Sequence, residues 1–207
     1  MTRMLLVRHG QSEWNAVGRW QGQADPPLTD QGRRQAQAAA RSLGTVDLVV
    51  SSDLQRALVT AEIRAEELGV GPVHVDADLR ERDAGEWSGL TRAEIHEQWP
   101  GYLPEDRATS GFANRSGRRP PRWEADESLR ARALAALDRI VTAVSGGDAL
   151  VITHGGLIYA IEEHLGRGHE RLANLGGRWV EAGDSGLVLG PRVLLVDPDA
   201  ATVPGQI

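Results

Sequence analysis

The chain has 207 residues, of which 41% are hydrophobic and 25% charged, with a formal net charge of −6. That acidity argues against nucleic acid or an acidic membrane surface as a partner, and the absence of cysteine removes disulfides, thiol nucleophiles and thiolate metal sites. Every basic residue is arginine, so no lysine can form a Schiff base, and any phosphate contact must come from arginine, histidine or backbone amides. No apolar run approaches the length of a membrane span, and the first is only Met4-Leu5-Leu6-Val7. Neither a transmembrane helix nor a signal peptide is expected, and the expected compartment is the cytoplasm.

That first run reads as a short buried strand, with Gly10 as the point where the backbone turns away. Arg8 and His9 then stand at the strand's C-terminal lip, the edge at which open α/β sheets bind ligands. A polar, Trp-containing loop follows, Gln11 to Pro27, and Thr29 or Asp30 can cap a helix running to about Leu43. Thr45 to Ser51 is the second predicted strand. Ser52 to Gln55 fits a capping box, and Leu54, Leu58, Ala61, Ala65 and Leu68 mark the apolar face of a helix ended by Gly69.

Val73 to Val75 is a short strand, Asp78 to Gly89 a charged loop, and a helix begins near Thr91. From Pro100 to Trp123 no periodicity is convincing while Pro, Gly and Arg recur, which predicts a lid over the site. Ser128 to Val144 is an amphipathic helix closed by Gly146-Gly147. Ala149 to Ile152 is another buried strand, delivering Thr153-His154-Gly155-Gly156 into a helix that carries Leu157, Ile158, Ile161 and Leu165. Ser185 to Leu189 and Arg192 to Val196 are predicted to close the chain as a hairpin turning at Gly190-Pro191. Alternating strands and helices predict one domain over 1–207, a three-layer α/β/α sandwich with a mainly parallel sheet.

Three segments place a charged residue at a strand end or on the next helical turn: Arg8-His9, Arg56 and His154. Together they describe a basic pocket into which helix N-termini also aim N–H groups, and phosphate is its natural guest. Arg56 at a helix start opposes the macrodipole, a placement that makes sense beside a bound anion. His74, His96, His164 and His169 have no such setting and are read as surface or packing residues. His9 and His154 have no acidic partner at ligand spacing, so no metal and no cofactor is assigned.

In this order and spacing, the segments Leu6 to Asn15, Trp20-Gln21-Gly22, Pro27 to Gly32, Ser51 to Ala57, Leu79 to Asp83 and Ile152 to Gly156 resemble the histidine phosphatase superfamily, also called the phosphoglycerate mutase-like family. The resemblance runs from residue 4 to about 165. It implies that His9 is a nucleophile forming a phosphohistidine, that Arg8, Arg56 and His154 grip the phosphoryl oxygens, and that Glu81 is the general acid, with Asp83 as the alternative. Ser12, Asn15, Gln21, Gly22 and the amides around Gly155 are implied as further phosphate contacts, against the plainer alternative of solvated loop residues.

The family's mutases usually carry Glu-Arg-His-Tyr-Gly where this chain has Glu81-Arg82-Asp83-Ala84-Gly85, and Asp126-Glu127-Ser128 replaces the usual Gly-Glu-Ser. The departures favour a phosphatase hydrolysing small phosphate monoesters without metal. The alternatives are a phosphoglycerate mutase and a non-catalytic phospho-ligand binder. Arg115, Arg118, Arg119 and Arg122 form a basic patch that could read a second anionic group or be a solvated loop. A small phosphorylated metabolite is the expected partner, with a homodimer possible.

Overall fold

A computed structural model describes residues 1–39, 44–103, 118–167 and 170–204. Six strands form one sheet in the order β3-β2-β4-β1-β5-β6. β1 (Thr2–Arg8) runs parallel to β4 (Gly147–Thr153), which is parallel to β2 (Leu48–Ser51), and β2 is parallel to β3 (His74–Val75). β5 (Gly176–Gly183) and β6 (Gly186–Leu194) close the other side antiparallel.

The continuous apolar runs of β1 and β4 follow from burial on both faces. Met4, Leu6, Ala149 and Val151 meet α5 (Asp126–Val144) and α6 (Gly155–His164) on one side, through Leu129, Leu137, Ile158 and Ile161. On the other side, Leu5, Val7, Leu150 and Ile152 pack with Ala57, Ala61 and Ala65 of α3 (Gln55–Leu68) and Ala39 of α2 (Asp30–Ala39). The three-layer α/β/α architecture is therefore the one that the alternation predicts. A third, smaller cluster of Ala84, Trp87, Ile95 and Leu103 joins α4 (Arg92–Gln98) to the loops beyond the sheet.

Several local expectations are corrected. Ser52 does not cap α3: Leu54 is the N-cap and makes no side-chain cap bond, while the Gln55 N–H is taken by Asp25 Oδ1 at 2.7 Å. The buried face of α3 is also rotated, since Arg56, Thr60 and Arg64 are buried and Leu58 is only half-buried. The second strand starts at Leu48 rather than Thr45.

Gly190-Pro191 is no turn. Arg178 pairs with Arg192 and Val180 with Leu189, so two residues of β6 face one of β5 in a bulge. Such a bulge on an edge strand tolerates a proline that cannot donate. The hairpin turns instead at Asp184-Ser185, and β5, opened by two glycines, was not foreseen. The expected end of α2 near Leu43 and residues 104–117 of the expected lid lie outside the described residues.

Candidate active site

β1 carries Arg8 to its end and leaves His9 as the next residue, whose N–H donates to Thr153 O of β4 at 3.0 Å. His9 and His154 are buried, with ring centroids 5.1 Å apart and edge to face. His9 Nδ1 lies 2.6 Å from Gly10 O. A carbonyl can only accept, so Nδ1 carries the proton and Nε2 keeps its lone pair. Burial first, then the charges of Arg56 and Arg8, holds the His9 imidazole well below its ordinary pKa, so the ring is neutral.

His154, at the N-cap of α6, is depressed in the same way by burial, Arg56 and its neighbours. Its Nε2 lies 3.0 Å from Ser52 Oγ. That oxygen also accepts the Leu54 N–H at 3.3 Å. If the hydroxyl proton goes to Nε2, the ring's own proton is on Nδ1, which has no hydrogen-bond partner among the described residues. Ser52, read from sequence as a helix cap, thus orients a site histidine.

Both arginines are buried and held by carbonyls. Arg8 Nη1 donates to Leu172 O at 2.8 Å. Arg56 donates through Nη1 to Ala24 O at 2.7 Å and through Nη2 to Gly22 O at 2.8 Å. Burial lowers the Arg8 guanidinium from its usual value and pushes that of Arg56 down to about 10, with Glu81 opposing the shift in each. Each keeps a buried Nε without a hydrogen-bond partner among the described residues.

Glu81 lines the cleft, its Oε2 accepting the Gly156 N–H at 3.0 Å and its Oε1 the Arg82 N–H at 2.8 Å. A Cβ on residue 156 would come within 2.1 Å of Glu81 Oε1, so only glycine admits the carboxylate there. Gly155, the first residue of α6, lies against Arg8, where a Cβ would be 3.3 Å from Nη1. Asp83 is not brought to the site: it is exposed, accepts the Gly85 N–H at 2.9 Å and turns the loop.

A cleft of about 440 Å³, including the part open to solvent, is lined by Arg8, Asn15, Trp20, Gln21, Gly22, Glu81, Arg82, Ala84, Trp123 and Gly156. Asn15 presents a buried Nδ2 without a hydrogen-bond partner among the described residues. Ser12 does not line the cleft. Its hydroxyl caps α1 (Glu13–Ala16), accepting the Asn15 N–H, and donates to Gln21 Oε1 at 2.7 Å, so it positions two residues that do. Gly22 contributes its carbonyl to Arg56.

The cleft's outer wall was not legible from sequence. Trp20, Trp87 and Trp123 form a mutually edge-to-face triad with centroids 5.4–6.0 Å apart. Arg132 was also missed: it donates to Glu124 and to the carbonyls of Asp78, Arg80 and Glu81, fixing the loop that carries Glu81. Trp20 stands in the Trp20-Gln21-Gly22 segment, but no motif announces its packing with Trp87 and Trp123 or the contacts of Arg132, since both arise between distant segments. Of the basic patch, Arg118 lies over Tyr102, Arg119 over Trp123, and Arg122 lies 3.8 Å from Glu86. None of the three lines the cleft, and Arg115 lies outside the described residues. His74 and His164 are exposed and His96 half-buried on α4; His169 lies outside the described residues.

Among the described residues no group of three or more His, Asp or Glu side chains could hold a metal ion, and no helix is long and apolar enough to cross a membrane.

The family model of the histidine phosphatase superfamily, branch 1, matches residues 4–177. A glucosyl-3-phosphoglycerate phosphatase of Mycobacterium tuberculosis is 35% identical over 203 residues, 88% of this chain and 88% of the relative. A metal-independent phosphoserine phosphatase of Arabidopsis thaliana is 36% identical over 165 residues, 78% of this chain and 67% of the relative. Among solved structures, a mycobacterial glucosyl-3-phosphoglycerate phosphatase complexed with VO3 superposes with a TM-score of 0.78 at 31% identity, covering 91% of this chain and 97% of that one.

Proposed function

Since the chain belongs to the histidine phosphatase superfamily, branch 1, and is a phosphatase of small phosphate esters, we propose that His9 is its nucleophile and that Arg8, Arg56, His154 and Asn15 bind the phosphoryl group. One observation carries this reading. Arg8 Nε, Asn15 Nδ2, Arg56 Nε and His154 Nδ1 are buried polar groups with no hydrogen-bond partner among the described residues. Buried donors of this kind are costly unless a ligand meets them; an oxyanion suits the donors of Arg8, Asn15 and Arg56, and His154 Nδ1 joins them in the tautomer that donation from Ser52 to Nε2 selects.

In the first step His9 Nε2 attacks phosphorus, forming an N–P bond as the P–O ester bond breaks. The leaving oxygen takes the electron pair and a proton from Glu81, departing as an alcohol. Water then attacks the phosphohistidine, losing its proton to Glu81, and phosphate and free His9 are regenerated. The arginines and His154 stabilise the charge spread over the equatorial oxygens, where most of the catalysis of phosphoryl transfer originates. Glu81 lines the cleft and is the group that gives the leaving oxygen its proton. No step calls for a metal.

Trp20 and Trp123 line the cleft with apolar ring surface, which suits a carbohydrate-sized alcohol with a hydrocarbon face as the leaving group. A sugar-bearing ester, like the one named for the mycobacterial relatives, is the substrate class we favour. The test is hydrolysis of p-nitrophenyl phosphate and a panel of sugar phosphates in EDTA, with an acid-labile phosphoenzyme trapped at early times. Full activity in His9→Ala overturns the assignment.

A further inference from the structure

Two peptide groups flank Gly10, and they define where the His9 ring can rest. The first, between His9 and Gly10, accepts through His9 O from Asn174 Nδ2 at 2.8 Å and donates its N–H to Thr60 Oγ1 at 3.2 Å. The second, between Gly10 and Gln11, donates its N–H to Gln35 Oε1 at 3.0 Å, while its carbonyl is the Gly10 O that accepts the His9 Nδ1 proton. All four polar groups are thus bonded to side chains.

The remaining capacity of the two amide side chains goes to the C-terminal segment. Gln35 Nε2 donates to Ala200 O at 2.9 Å and to Thr202 Oγ1 at 3.2 Å. The Thr202 hydroxyl passes its own proton to Asn174 Oδ1 at 2.8 Å, and Thr202 O accepts the Asn174 N–H at 2.9 Å. The second Nδ2 proton of Asn174 goes to Asn15 Oδ1 at 3.3 Å. Every donor and acceptor of the Gln35 and Asn174 amides has a partner, and both residues are buried.

We propose that Gln35, Asn174 and Thr202 are positioning residues for His9, with Thr202 joining the two arms that fix the peptides on either side of Gly10. This rests on His9 as the nucleophile. The physical argument has two parts. Donation by the Gln11 N–H to Gln35 polarises that peptide and strengthens its carbonyl as the acceptor for Nδ1–H. Fixing the carbonyl in place selects the tautomer whose Nε2 is free to attack, at a site where small displacements are expensive. The chain's last described stretch, remote from the cleft in sequence, therefore belongs to the catalytic apparatus.

The experiment compares Thr202→Val, which deletes both hydroxyl hydrogen bonds at similar volume, with Thr202→Ser, which keeps them. Three quantities are read: the His9 tautomer from ¹⁵N shifts of histidine-labelled protein, the rate of phosphoenzyme formation, and inhibition by inorganic phosphate. T202V should lower the Nδ1–H population of His9 and slow phosphoenzyme formation roughly 10- to 100-fold, with phosphate inhibition unchanged because the arginines are untouched and Asn174 holds Asn15 through Nδ2 rather than through the Oδ1 that Thr202 bonds. T202S should restore both. A wild-type tautomer and rate in T202V, an equal defect in T202S, or loss of phosphate binding in parallel with rate each overturns the proposal. Gln35→Met, read in the same way, substitutes if T202V folds poorly. Absence of any phosphoenzyme in the unsubstituted protein would instead overturn the nucleophile assignment, and the tautomer, read without substrate, keeps the two failures distinct.

Discussion

The floor of the cleft and its outer wall are held by different forces. The floor is Arg8, which lines the cleft, together with the buried groups His9, Ser52 and His154 next to it; they come from the ends of β1, β2 and β4, and β-ladder pairing and side chains such as Asn174 fix their backbones. The wall is Trp20 and Trp123, drawn from loops and packed edge to face on the buried Trp87 of a short 3₁₀ turn. Hydrogen-bonded strand ends can place a nitrogen against phosphorus to within fractions of an ångström. Ring packing tolerates exchange of shape, which suits a surface that reads a leaving group. The contrast predicts that floor substitutions act on every ester alike and wall substitutions act differently on each.

The largest expected effect is on the floor. Arg56→Met removes a cation that would face the transferring group, and kcat/KM should fall about 1,000-fold for all substrates, in line with the loss of one preorganised cationic contact. Steady-state kinetics on a small and a bulky ester checks this. A loss confined to the bulky ester would erase the distinction between floor and wall.

Acid should unfold the protein through the same floor. His9 and His154 are buried neutral, with folded pKa values well below the 6.5 of an unperturbed imidazole. The unfolded chain therefore binds more protons below pH 6.5, and stability rises with pH through that window and is lost as pH falls through it. Each histidine contributes a slope of about 1.4 kcal/mol per pH unit once the unfolded form is protonated. Urea denaturation between pH 7 and pH 5 measures the slope, and His154→Asn should halve this histidine part. A flat profile would mean that the rings are charged in the folded state.

On the wall, Trp123→Ala should raise KM for esters with sugar-sized leaving groups about tenfold, the scale of one lost ring contact, and leave inhibition by inorganic phosphate unchanged. An equal change in both would place Trp123 on the floor.

The difference in construction also explains what could be read beforehand. Arg8, His9 and His154 lie at strand ends, where the hydrophobic period stops and chemistry begins, Arg56 lies on the first turn of the helix after β2, and Glu81, in a charged loop, was legible only through the family resemblance. The capping box at Ser52 was a sound local pattern that lost to a tertiary one: Asp25 takes the helix N–H and Ser52 is left for His154. Pro191 looked like a turn because a bulge on an edge strand leaves the same residues as a hairpin tip. Asn174, Thr202 and the mutual packing of the three tryptophans have no local signature, since each acts through a partner far away in the chain.

The smallest effect separates a buried charge that serves the site from one that does not. Arg64 follows Arg56 about two turns later on α3, is likewise fully buried, and burial pushes its guanidinium down to about 10 with Glu67 opposing. Whereas Arg56 donates to two carbonyls, Arg64 Nε, Nη1 and Nη2 have no hydrogen-bond partner among the described residues. Below pH 10 the folded state carries this desolvated cation at a cost that the unfolded chain avoids, and relief begins only as pH rises through the folded value. Arg64→Met, similar in volume and uncharged, should stabilise the protein by about 1–2 kcal/mol, or roughly 4 °C in Tm. The gain should be the same at pH 6 and pH 8, with kcat/KM unchanged. A lower Tm would show that Arg64 has the partners that make Arg56 worth its burial.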